Sequence, residues 1–290
     1  MVENQPQSSL EPHEARMTPI ASLTHEQDPR VATLRQALDE FYAKPSSYSD
    51  FEVAVNHKPE YWCHVLDAVR ERAATLPEGE PVRVLEFGAG RTGFASFLGP
   101  LRSRVHFTTQ DVTHANEDHL RSQADTVHIG DVAALAGPFD VIFSTFVWEH
   151  ITNPAATYAH LLGVLRPGGC LIIACPRYDV PLYIPPSARH YSRLGQLRVA
   201  AWLVRRRLAA IAGGPARFWI HTDPAVLRVA DWFRDSDAIH WVSRADFTKA
   251  APPEYRVRRL RARIAGLKGM IFNHLLLAFV RNDRPAGLLD

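Results

Sequence analysis

The sequence predicts an α/β fold in which a parallel sheet is covered by helices on both faces, and three observations predict it. From residue 82 onward short apolar, β-favouring runs alternate with helical patterns. The first of these runs leads straight into a glycine-rich turn, "VRVLEFGAGRTGFASFL" (82–98), and the turn opens an amphipathic helix. With 46% hydrophobic residues in 290 positions, the chain can bury a core of that size.

Taken in order, residues 1–28 are rich in Glu, Gln, Ser and Pro and are expected to form a disordered tail. "RVATLRQALDEFYA" (30–43) and "PEYWCHVLDAVRERAATL" (59–76) carry apolar residues at helical spacing, so 29–80 reads as an N-terminal helical lid. The domain proper runs from 81 to 290. Its expected strands are "VRVLEF" (82–87), "RVHFTTQ" (104–110), "TVHI" (126–129), "FDVIFSTF" (139–146) and "CLIIAC" (170–175). The helix "NPAATYAHLLGVL" (153–165) is stopped by "RPGG", which turns the chain into the fifth strand. After it, about 177–222 is too long for a plain loop and reads as an insertion, with "LGQLRVAAWLVRRRLAAI" (194–211) helical. "DPAVLRVADWF" (223–233) is expected as a helix, and "AIHWVSRADF" (238–247) and "HLLLAFVRN" (274–282) as strands. The basic stretch "EYRVRRLRARIAGLK" (254–268) between those two strands reads as a helix or a loop.

Composition narrows the function. Lys and Arg number 33 against 31 Asp and Glu, a formal charge of +2, so no global field recruits nucleic acid. The three cysteines, Cys63, Cys170 and Cys175, lack metal-site spacing and suit a reducing compartment. The opening stretch is polar, without the apolar region of a secretory signal. "MIFNHLLLAFV" is far short of the roughly 18 apolar residues of a membrane span. A cytoplasmic protein with no stable membrane insertion is expected; a homodimer is compatible with the sequence.

Gly88, Gly90 and Gly93 match G-x-G-x-x-G, a turn that lets backbone approach a ligand at a helix N-terminus. Nicotinamide dinucleotides and S-adenosylmethionine both use this device, and in both an acid about 20 residues on, here Asp111, takes ribose hydroxyls. Glu86 favours the second. A carboxylate beside the turn would repel a pyrophosphate but can receive the ammonium of a methionine moiety. Asp131, ending "HIGD", is placed for an adenine amino group, and "FDVIFSTFVWEHI" with "LLGVLRPGGCLIIACP" completes an ordered block.

With those motifs, residues 82–176 resemble the catalytic core of class I S-adenosylmethionine-dependent methyltransferases. The resemblance is to the bacterial small-molecule type that includes the ubiquinone-biosynthesis group. It implies a Rossmann-like, seven-stranded, mostly parallel sheet whose last strand is antiparallel. It also implies that Glu86, Gly88, Ala89 and Gly90 surround the methionine part. Asp111 would take the ribose hydroxyls, Val112 and Val132 would lie beside the adenine, Asp131 would take its amine, and Ser144 would lie under the sulfonium. One departure stands out: the family's third glycine is Thr92 here, and Gly93 follows one place later.

Methyl transfer is an in-line displacement in which the protein aligns the nucleophile and, for a hydroxyl acceptor, removes its proton. His150, His190 and His221 are the candidate bases. Each also has a structural reading, as a loop hydrogen bond or a helix cap. Relatives that bind a metal carry E-x-x-E-H here, but the first position is Phe146, so no metal site is expected. Phe146, Trp148, Glu149, Tyr178, Tyr191 and Trp219 are candidates to line an aromatic acceptor pocket. Arg205, Arg206 and Arg207 form a basic patch that is either a solvated face or contacts an anionic acceptor or membrane surface. "STFV" stands where many DNA-methylating enzymes carry a [DNS]-P-P-[YF] motif, so nucleic acid is not the expected acceptor. The expected reaction is methylation of a small or medium-sized acceptor at oxygen, in specialised metabolism or glycan modification. N- or C-methylation of a natural product and nicotinamide-dependent oxidoreduction are the alternatives.

Overall fold

The computed structural model describes residues 23–43, 54–180, 183–189, 191–227, 236–261 and 275–282. Among them seven strands form one sheet: β2 (Val82–Phe87), β3 (Val105–Asp111), β4 (Thr126–Ile129), β5 (Phe139–Thr145), β6 (Leu165–Cys175), β8 (Tyr255–Arg259) and β9 (Leu275–Arg281). Their order is β4-β3-β2-β5-β6-β9-β8. The first five are mutually parallel, while β9 runs antiparallel to both β6 and β8. The fold is therefore the Rossmann-like, mostly parallel seven-stranded sheet that the motif order implies. A separate pair joins β1 (Leu23–His25) to β7 (Trp219–His221), so an ordered strand lies within the span expected to be a tail.

Strand order reverses between β2 and β5, with β3 and β4 to one side and β6 to the other. The carboxyl ends of β2 and β5 thus face an open crevice, the place where such sheets bind ligands. Alternation along β2 shows why the sheet is buried on both sides. Val82 and Val84 pack with Tyr61, Trp62, Val65 and Val69 of helix α2 (Pro59–Thr75). Leu85 and Phe87 pack on the other side with Tyr158, Leu161 and Leu162 of helix α5 (Pro154–Gly163), which follows the short helices α3 (Phe94–Phe97) and α4 (Glu117–Gln123). Covering both faces leaves little polar signal in the strands, which is why they read as near-continuous apolar runs.

The two N-terminal helices, expected together as a lid, take different places. Helix α2 is a layer of the core. Helix α1 (Arg30–Ala43) instead sends Val31, Leu34 and Leu38 against Ile220, Val226 and Ile239. Ahead of it, the Glu26 carboxylate accepts from the Ala155 N–H at 2.9 Å and so satisfies a free donor in the first turn of α5.

Two further expectations are corrected. The segment 238–247 is not a strand: His240 makes one isolated bridge to Ile220, and helix α7 (Arg244–Ala250) follows. Ala238, Ile239, Trp241 and Val242 are all buried, so the apolar run reflects enclosure on every side and not a pleated face. The basic stretch holds β8, where buried Tyr255 and half-buried Val257 alternate with exposed Arg256 and Arg258. Arginines on an edge strand protect it from pairing with another chain. Most of the helix expected at 223–233 lies outside the described residues; a single 3-10 turn, Pro224–Leu227, is present. No helix among the described residues is long and apolar enough to cross a membrane.

Candidate active site

The glycine turn carries its own conformational demands. Gly88 and Gly90 hold φ of 68° and 52°, in the left-handed region that side chains disfavour. A Cβ on Gly88 would also lie 2.6 Å from both methyls of Val147, so the loop after β5 closes directly on the turn. Gly93 has another reason to be glycine: a Cβ there would meet His57, Val55 and the Asn56 carbonyl oxygen at about 3 Å, since 55–57 packs against the turn. The chain crosses at Asn56, whose N–H donates to the Arg91 carbonyl at 2.8 Å and whose carbonyl accepts from Gly93 N–H at 3.1 Å. The shifted third glycine thus serves packing, not turn curvature.

At the end of β2, Glu86 is 3% exposed, and its Oε2 has no hydrogen-bond partner. Burial pushes its carboxyl up to about 8; the nearby Asp111 charge adds to the rise, and a Thr92 hydrogen bond opposes it. A buried carboxyl with one oxygen unpartnered is costly to ionise unless a cation arrives to use it. At the end of β3, Asp111 accepts from Gly90 N–H at 2.8 Å and from Thr113 N–H at 3.1 Å, which ties turn and acid together. Burial raises its carboxyl, against those bonds. Ala89 N–H donates to the Gln110 carbonyl at 2.9 Å. Sequence reasoning missed Gln110: its buried amide accepts from Gly88 N–H (3.3 Å) and donates to the Gly130 carbonyl (2.7 Å), bridging the ends of β2 and β4. A glutamine inside an apolar strand was the available signal.

Next to these residues lies a cavity of about 100 Å³, bounded by Phe87, Gln110, Val112, Asp131, Val132 and His150, with Arg35 and Tyr42 from α1. Asp131 caps a 3-10 turn through Ala133 N–H at 2.9 Å and also pairs with Arg35 at 3.0 Å. A glycine turn, a buried unpaired carboxylate and two further acids at consecutive strand ends suit a ligand carrying an ammonium, a ribose and an adenine.

The comparisons agree. A family model described as "Methyltransferase domain" matches residues 56–250, well over half of the chain. The chain belongs to the methyltransferase-domain family. It is an S-adenosylmethionine-dependent methyltransferase. No curated protein sequence matches it. Solved structures similar to this methyltransferase include the CurJ carbon methyltransferase, at 14% identity and TM-score 0.44, covering 76% of this chain and 53% of that one. The chain therefore spans about half the length of that carbon methyltransferase chain. A second is an S-adenosylmethionine-dependent methyltransferase from Mesorhizobium loti (16% identity, TM-score 0.43, 75% of this chain and 100% of that one). A third is the plantazolicin methyltransferase BpumL, in complex with a desmethyl analog and S-adenosylhomocysteine (11%, 0.49, 87% and 98%).

Of the candidate catalytic and acceptor residues, the fold brings some together and separates others. His150 lines the cavity, with its Nδ1 3.5 Å from Asp237 Oδ2 and its Nε2 3.9 Å from Glu149 Oε1. Asp237 also accepts from the Tyr42 hydroxyl at 3.0 Å, and the Tyr42 ring meets His150 edge-on. Asp237 and Tyr42 were not legible as partners, since tertiary threading alone joins them to His150. Ser144 accepts from Trp148 Nε1 at 2.7 Å. Trp148 is fully buried against Phe87, Tyr158 and Phe247, a core position outside the cavity. Phe146 has φ 61°, strained for a side chain of this kind, and its ring meets Tyr61 and Lys58.

The described candidates between 178 and 221 do not line the cavity. His221 is buried, hydrogen-bonded to the Tyr191 hydroxyl, which also reaches Asp223 Oδ2 at 3.5 Å. Tyr178 is buried beside Tyr183, and Trp219 packs edge-on against Trp202 at 4.9 Å. His190 lies outside the described residues.

Proposed function

We propose that this methyltransferase acts on an oxygen of a small or medium-sized acceptor, with His150 as general base. The observation that carries the reading is that His150 stands in the loop after β5, whose Val147 packs directly on Gly88 of the glycine turn, with Asp237 Oδ2 3.5 Å from its Nδ1. When bound, S-adenosylmethionine supplies a sulfonium methyl group for in-line displacement. Glu86 would hold its ammonium, Asp111 its ribose hydroxyls and Asp131 its adenine amine, with Val112 and Val132 against the ring.

His150 takes the acceptor's proton. Asp237 and Glu149 lie on either side, where they orient the ring and stabilise the imidazolium once it forms. Helix α1 supplies Arg35 and Tyr42 to the cavity wall, which supports its reading as the lid; no described residue of 177–222 lines this cavity, so nothing in its lining supports that segment as the acceptor wall.

The test is labelled methyl transfer to phenolic, sugar and lipid hydroxyls. His150→Ala should lower kcat/KM by about a hundredfold or more and leave S-adenosylhomocysteine affinity unchanged. Wild-type turnover in that variant would remove His150 from the role, and methylation of amine acceptors alone would remove oxygen.

A further inference from the structure

Helix α6 (Arg193–Ile211, "RLGQLRVAAWLVRRRLAAI") has two apolar faces, and the core uses one. Gly195, Val199, Ala200 and Leu203 are buried, and Trp202 packs edge-on against Trp219. Arg206 points inward too, donating to the carbonyls of Trp241 (3.0 Å) and Arg217 (2.8 Å) and pairing with Asp246. The helix is therefore bolted down from its inner side.

At about 100° per residue, Leu194, Leu197, Ala201, Leu208 and Ile211 fall on the opposite stripe. The four large ones are 59%, 64%, 60% and 73% exposed. Among the described residues only Val55 and Val112 join them as exposed large apolar side chains, so the exposure is concentrated on this helix. Arg193, Arg198 and Arg205 border the stripe, all exposed and without a hydrogen bond or ion pair among the described residues. The helix contains no acidic residue. Arg207 lies near a further basic group: burial, then the neighbouring charges of Arg177 and Arg259, hold the Arg244 guanidinium down at about 10, and Arg207 acts in the same direction.

A second copy is a poor occupant, because self-docking of this face would bring arginine against arginine. A protein partner would be expected to find aromatic anchors, and the stripe is aliphatic throughout. Aliphatic side chains flanked by long cationic ones match the boundary of an anionic bilayer, where the guanidinium stems lie along the apolar layer and the heads reach phosphates. We propose that the solvent face of α6 docks the enzyme on anionic lipid surfaces, lying in the plane of the interface. This goes beyond methyl transfer and does not depend on the choice of base.

The test is co-sedimentation of the full chain with vesicles of phosphatidylcholine, with and without phosphatidylglycerol. Binding is expected only to the anionic vesicles and should weaken with added salt. Leu197→Glu combined with Leu208→Glu should abolish it. Arg198→Gln combined with Arg205→Gln should weaken it by roughly thirtyfold, taking each arginine at about 1 kcal/mol. Both pairs should keep wild-type S-adenosylhomocysteine affinity, which reports an intact fold. Equal binding to uncharged vesicles, or anionic binding untouched by the leucine changes, would overturn the proposal. So would a solution dimer that the leucine changes dissolve while vesicles stay unbound.

Discussion

Glu86 makes cofactor binding a proton-releasing event. Its carboxyl stands at about 8 because burial disfavours the charge, with Asp111 adding to the effect. At pH 7 such a group is about nine-tenths protonated in the free protein. An ammonium resting on Glu86 needs the carboxylate, so binding expels about 0.9 proton; the ligand amine, ordinarily near pKa 8, takes up about 0.1. The net is about 0.8 proton released, and ionising Glu86 costs about 1.4 kcal/mol of the affinity at that pH. Titration calorimetry with S-adenosylhomocysteine in buffers of different ionisation enthalpy reads this count directly. Glu86→Gln should bring the net release to zero or slightly below and weaken binding. The same variant should be more stable than wild type. An acid with a raised folded-state pKa loses stability as pH climbs from its unfolded value towards 8, by about 3 kcal/mol at pH 7. Buffer-independent heats in the wild type, or identical proton counts in the variant, would mean that Glu86 does not ionise on binding.

Three further outcomes follow from particular contacts. Gly88→Ala should cost about 2 kcal/mol in stability from its positive φ and weaken S-adenosylhomocysteine binding; Val147→Ala in the same chain should recover part of both, since Val147 is what the new Cβ meets. Asp140 is buried, accepting from Arg72 Nε and Arg83 N–H, both at 2.8 Å, at the amino-terminal end of central strand β5, away from the crevice. Asp140→Ala should therefore lower stability by about 3 kcal/mol in urea unfolding, with cofactor affinity unchanged. His240 is held down to about 3 by burial, so it folds neutral. Its contribution is complete above about pH 6.5 and falls by about 1.4 kcal/mol per unit as pH drops towards 3; unfolding of His240→Gln across that range should show a slope lower by one proton.

The central sheet was legible because strands buried on both faces leave apolar runs, and "VRVLEF" and "TVHI" coincide with β2 and β4 residue for residue. Glu86 was legible for the converse reason: a carboxylate inside such a run needs a cause. The failures share a physical origin. Arginines hid the period-two pattern of β8, and enclosure on all sides made 238–247 look like a strand. Trp148 stands in sequence beside the site, but its indole N–H goes to Ser144 and its ring goes to the core. Asp237 reaches His150 only because 237–242 threads past the 148–150 turn, with Ile239 and His240 N–H groups both donating to the Glu149 carbonyl. Nothing local in the chain encodes that meeting.

The cofactor assignment is decided by equilibrium dialysis of the full chain with labelled S-adenosylmethionine, beside labelled nicotinamide dinucleotide, repeated on Asp111→Ala. Saturable binding of S-adenosylmethionine, its loss in the variant and no retention of the dinucleotide are expected. Retention of the dinucleotide with none of S-adenosylmethionine would contradict that assignment.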